Sequence, residues 1–147
     1  MSIRVRRPAT ERLELPDGDY LLVKQDLTAG EYRELMRAST RPVTVTSGAQ
    51  GTPTPMIELD PIAAGVAMVM AYLLDWSFAD ADGRKIPIAD QPAAVVKAAL
   101  DSIDSDAYMD VQRAIQEHQA ARATALAEEK KTRPGPSTPD GTLTSVG

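Results

Sequence analysis

Thirteen consecutive residues, Ile62 to Leu74, carry no charge, and only Gly65 and Tyr72 soften their apolar character. The run is well short of the roughly 20 residues that cross a bilayer. It therefore predicts a buried helix. Asp60-Pro61 opens it cleanly, because aspartate caps a helix and proline is favoured at the first helical position. A helix that is apolar on every face has to be the central one. Rings are scarce, at 4% of the chain, so the core must rest on aliphatic side chains and methionine. The only tryptophan and the only phenylalanine, Trp76 and Phe78, follow the run at once.

The rest of the chain arranges itself around that helix. Leu13 and Leu15 alternate with Arg12 and Glu14, which is the period of a half-buried strand. Pro16-Asp-Gly-Asp19 signals a turn, and Tyr20 to Lys24 read as the return strand of a hairpin. Residues 1–7 can add a further strand. Thr28-Ala-Gly-Glu31 fits a capping box and starts a helix over 29–38 with Tyr32, Leu35 and Met36 at helical spacing, ended by Pro42. Val43 and Val45 flank Thr44 in a short strand. The Gly- and Pro-rich stretch that follows reads as a linker.

Asp90 and Pro92 open a third helix to about Asp101, with Val95, Val96, Ala99 and Leu100 on one face. A fourth, long helix spans 105–131, with Tyr108, Val111 and Ile115 on its seam and Ala123 and Leu126 extending it weakly. From Thr132 onward proline, glycine and small polar residues predict a disordered tail. The expected class is α+β: a small N-terminal β sheet or hairpin and a bundle of three to four helices. The expected divisions are a β-rich element (1–46), a linker (47–59), a helical domain (60–131) and a tail (132–147).

Charge and residue types narrow the function. The net charge is −5, and a nucleic-acid partner calls for a basic face that this chain lacks. No cysteine is present, which removes disulfides, thiolate metal sites and cysteine nucleophiles. The first residues lack an apolar stretch after their charges, so no signal peptide is predicted. His118 is the lone histidine and reads as a partly exposed polar residue at the edge of the seam.

The catalytic and ion-binding motifs fail on inspection. Asp80-Ala-Asp-Gly83 fails as a calcium loop, because Phe78 and Ala89 would fall where carboxylates are required. It reads as an aspartate-stabilised turn. Gly48-Ala-Gln-Gly51 lacks the ending of a phosphate-binding loop. Asp106 and Asp110 share a helix face, where acids near the first turn complement the helix dipole. No catalytic, cofactor-binding or metal-binding residue is expected.

Trp76-Ser-Phe78 and Ile86-Pro-Ile88 flank the Asp-Gly turn like two arms of a hairpin. Large rings there either close the core or stay exposed for a partner. The Asp60-Pro61 helix, Tyr72-Leu-Leu-Asp-Trp-Ser-Phe78, Asp80-Ala-Asp-Gly83, Ile86-Pro-Ile88 and Ala114-Ile-Gln-Glu-His118 together resemble the small tail assembly chaperones of long-tailed, siphovirus-like bacteriophages. Arg12-Leu-Glu-Leu-Pro-Asp-Gly-Asp-Tyr20 is consistent with them.

The resemblance implies a non-enzymatic protein of the host cytoplasm. Such chaperones bind the tape-measure protein while tail-tube protein polymerises around it, and many also exist in a longer, frameshifted form. A homo-oligomer is compatible with this role, and neither a nucleic-acid nor a membrane partner is expected. Partner contacts are expected at Leu73, Trp76, Phe78, Tyr108, Val111 and Ile115. The rival reading is a structural tail or neck protein of a phage particle.

Overall fold

A computed structural model describes residues 9–46, 48 and 51–132. The order of elements is β1 (Thr10–Glu14), β2 (Tyr20–Lys24), α1 (Ala29–Ala38), β3 (Thr40–Val45), β4 (Thr54–Leu59), α2 (Pro61–Tyr72), β5 (Leu73–Trp76), α3 (Ala93–Ser102) and α4 (Ser105–Thr132). The architecture is α+β, with one antiparallel sheet in the order β1-β2-β5 and a separate antiparallel ribbon β3-β4. The first possible strand, over 1–7, and the expected tail beyond Thr132 lie outside the described residues.

Local chemistry explains the element ends. Asp17 and Gly18 have φ of 64° and 84°, the doubly left-handed turn that joins antiparallel strands with matching twist. It sets β1 on β2 in the register Leu13↔Leu21. Thr28 Oγ1 accepts the Glu31 N–H at 3.1 Å, and Glu31 Oε1 accepts the Thr28 N–H at 2.9 Å, completing the capping box of α1. Asp60 Oδ1 accepts the Ile62 and Ala63 N–H groups at 3.1 Å and caps α2. Helix α3 departs from expectation: Pro92 stands at its N-cap without a side-chain cap, and Val95 is exposed.

The apolar run splits between two elements. Residues to Tyr72 form α2, and Leu73 and Leu74 turn into β5. Strand β5 pairs with β2 through Leu21↔Trp76 and, past a bulge, Val23↔Leu73. The sheet therefore joins the N-terminal strands to the strand that follows α2. The core gathers Leu21 and Val23 of β2, Met68, Val69 and Tyr72 of α2, Leu73 and Trp76 of β5, Ile88, Ala99 and Leu100, and Val111 and Ile115 of α4. Helices α2 and α4 cross closely at Gly65, where a Cβ would stand 2.6 Å from Gln112 Nε2.

Three further expectations are corrected. Helix α1 stops at Ala38, and Pro42 lies inside β3 rather than ending the helix. The C-terminal part of the expected linker, residues 54–59, is strand β4, paired residue for residue with β3. The hairpin of the aromatic pair is shorter than drawn. Ile86 N–H donates to Phe78 O at 2.9 Å and Ala79 bridges Lys85, while Trp76 has left to pair with β2.

Candidate interaction surface

The six residues expected at a partner surface divide between core and rim. Trp76, Val111 and Ile115 are completely buried, and Leu73 nearly so. Trp76 stacks edge-on against Phe78, with ring centroids 5.1 Å apart, and its Nε1–H donates to Ile86 O at 2.9 Å. A buried indole with its one donor satisfied is a core anchor. The four buried residues hold the body together and offer no surface in this fold. Phe78 and Tyr108 are half-buried. Burial, followed by the charge of Asp101, raises the pKa of the Tyr108 phenol above its ordinary value.

Phe78 lines an open cleft of about 200 Å³ with Leu15, Asp19, Asp106 and Asp110 among its walls. Asp19 already accepts the Ser77 hydroxyl at 2.9 Å, and Asp110 lies 3.5 Å from Arg113. Among the described residues no three His, Cys, Asp or Glu side chains are placed to hold a metal ion together. Nor is any described helix long and apolar enough to cross a membrane.

His118 departs from its expected half-exposed position. It is buried and tethers α4 to the sheet. Its Nε2 lies 3.0 Å from Lys24 O and 3.1 Å from Gln25 O, so that nitrogen carries the donated proton. Nδ1 stands 3.3 Å from the Glu11 carboxylate, and the ring meets Tyr72 edge-on. One turn on, Arg122 makes a two-pronged pair with Asp26, at 3.0 and 2.8 Å. The hydrogen bond to Asp26 outweighs partial burial and raises the Arg122 pKa further. From Ala123 to Lys131 α4 carries exposed residues apart from the half-buried Leu126.

Exposed apolar side chains collect elsewhere, on elements the sequence had not singled out. Tyr32 and Met36 lie on α1, and Val45, Met56, Ile57 and Leu59 on the ribbon. Ile57 is 77% exposed, and Ile62, just inside α2, is 82% exposed. Every residue of β4 is exposed. Opposed residues share a face, so Val43, Val45 and Met56 lie on one side of the ribbon with Arg41 and Glu58. Pro42, Pro55, Ile57 and Leu59 lie on the other. The ribbon is thus apolar on both faces, and its one charged pair, Arg41 to Glu58 at 3.2 Å, is internally neutral. The overlooked signal was Met56-Ile57-Glu58-Leu59, hidden by the two prolines before it.

The hydrogen-bond alternation of the ribbon follows from one contact. Asp60 N–H donates to Ser39 O at 2.9 Å, in the same register as the strands. In an antiparallel pair, bonded and non-bonded pairs alternate. Arg41↔Glu58, Val43↔Met56 and Val45↔Thr54 are then the bonded pairs. Thr40, Pro42 and Thr44 on β3, and Pro55, Ile57 and Leu59 on β4, turn their backbone groups outward. Both prolines occupy outward positions, where the missing N–H takes no bond from the ribbon.

No protein-family model, no curated protein and no solved structure matches this chain.

Proposed function

We propose that this protein is a non-enzymatic assembly chaperone, a phage tail assembly chaperone that binds the tape-measure protein and assists tail-tube assembly. The observation that supports this reading is the exposed apolar set on α1, β3 and β4, carried by a chain of net charge −5. A long helical client exposes an apolar stripe until its tube encloses it. Exposed ribbon faces and the outer side of α1 are the surfaces such a stripe would contact. The acidic remainder keeps the loaded complex dispersed.

The test is co-expression with a long helical tape-measure protein. The client should become soluble and co-purify. Tyr32→Glu combined with Met56→Glu should abolish both effects while the melting temperature holds. A client equally soluble without this protein, or captured equally by the double variant, overturns the reading.

The alternative, a structural tail or neck protein, is favoured by the outward backbone groups of β4, which suit strand addition between neighbours in a particle. Mass spectrometry of purified particles separates the two, since a chaperone leaves and a structural protein stays in many copies.

A further inference from the structure

The two edges of the ribbon are guarded unequally. On β3 the outward groups belong to Thr40, Pro42 and Thr44, so a proline interrupts the edge at its middle. A proline there blocks strand addition, as edge strands commonly require. On β4 the proline stands at the end, as Pro55, and Ile57 and Leu59 keep adjacent outward N–H and C=O groups. Among the described residues neither of these N–H groups has a hydrogen-bond partner. An isolated two-stranded ribbon is marginal in water, and among the described residues this one has no third strand.

We propose that two copies of this chain join along β4, antiparallel, about a two-fold axis through Ile57, to make a four-stranded sheet β3-β4-β4-β3. The inference stands apart from the proposed function, since it requires no client.

A second copy fits this edge for three reasons. Pairing about Ile57 sets each Ile57 opposite its symmetry mate, with N–H to C=O bonds in both directions. It also sets each Leu59 N–H against the Pro55 C=O of the other copy. Only the Leu59 carbonyls lack a donor, and they lie at the two ends of the pairing, where water reaches them. Side chains match as well, because Ile57 meets Ile57 and Leu59 meets Pro55 on the same face. No like charges face each other: Glu58 falls opposite Met56 of the other copy and is paired with Arg41 of its own, while Asp60, 3.9 Å from the same Arg41, falls opposite Thr54. Two molecules of charge −5 repel at most contacts, so a stretch with one neutralised charge is where they can approach. The edge is small beside the ~1,200 Å² of a stable interface, so a dimer in roughly the micromolar range is expected.

The test is sedimentation or light scattering of the full chain across a concentration series. The wild type should pass from monomer to dimer. Ile57→Pro removes one outward donor per copy without touching a ribbon bond. It should raise the dissociation constant roughly tenfold or more, because two of the four cross-dimer bonds vanish together. Thr44→Pro makes the same change on the other edge and should leave the dimer intact.

A crosslink reads the geometry directly, since the chain has no cysteine of its own. Ile57→Cys should oxidise to a covalent dimer, because Cα atoms ~5.5 Å apart across a bonded pair lie within disulfide reach. Thr44→Cys should not. A chain that stays monomeric throughout, a dimer weakened equally by both prolines, or equal crosslinking at both positions overturns the proposal.

Discussion

Strand β2 of the sheet buries Leu21 and Val23 completely, while strand β4 of the ribbon leaves all six of its residues exposed. Both belong to antiparallel pairs of good register. The difference lies in what covers them. Strand β2 has neighbours on both edges and a layer formed by α2 and α4 over one face, so its alternation of burial is clean. Among the described residues the ribbon has no third strand, and it carries apolar side chains on both faces. Hydrogen bonding is thus common to both units, and apolar burial separates them. The stability of the body should rest on its core, while the ribbon contributes surface.

The largest expected effect comes from breaking the body. Trp76→Ala removes a completely buried ring and leaves Ile86 O without its donor, and should cost about 3–5 kcal/mol by chemical denaturation. A loss under ~1 kcal/mol would mean the ring is no anchor, and the contrast with the ribbon would collapse. His118→Phe comes next. It keeps an apolar ring against Tyr72 but withdraws the donor from Lys24 O and Gln25 O. It should cost about 1–3 kcal/mol. If stability is unchanged, the tether between α4 and the sheet is ornamental.

These two residues also show how far the sequence could be read. The Asp60-Pro61 start of α2, the capping box of α1, the Asp17-Gly18 turn and the 28-residue α4 were legible, because each is fixed by contacts within a few residues. The α+β class followed from them. What was not legible depended on distant partners. The periodicity of Val111 and Ile115 marks an apolar face equally well whether it meets the body or another protein. Its burial was decided by β2 and α2, far away in the chain. His118 looked peripheral because its partners, Lys24 and Gln25, lie more than ninety positions earlier. Strand β4 was read as linker because the stretch leading into it is rich in Gly and Pro, and only the fold shows that, among the described residues, both strands of the ribbon are edges where proline is tolerated.

The link between sheet and α1 gives a smaller, pH-dependent effect. Partial burial pushes the Glu31 pKa up, but the Lys24 ammonium, the Thr28 N–H and the Thr28 hydroxyl outweigh it, and the net shift is downward. A carboxyl held below its unfolded pKa stabilises the fold above that value. The contribution disappears as pH falls through the folded pKa. Wild-type stability should therefore drop between roughly pH 5 and pH 3 by more than that of Glu31→Gln, the excess being this residue's share. Parallel curves for the two proteins across that window would show that Lys24 and Glu31 do not couple β2 to α1.

The smallest effect is expected on the ribbon, and it discriminates most finely between the two regions. Met56→Ser removes a large apolar side chain from a strand that hydrogen-bonds as regularly as β2 does. A side chain that stays 53% exposed contributes little burial, so unfolding stability of the dilute monomer should move by no more than about 0.5 kcal/mol. The same substitution in β2, Leu21→Ser, combines a cavity with an unpaired hydroxyl and should cost several times as much. Solubility should move the other way, with Met56→Ser staying in solution at concentrations where the wild type precipitates. If Met56→Ser instead destabilises the dilute monomer as strongly as Leu21→Ser, the ribbon is packed against the body in solution and its apolar faces belong to the core.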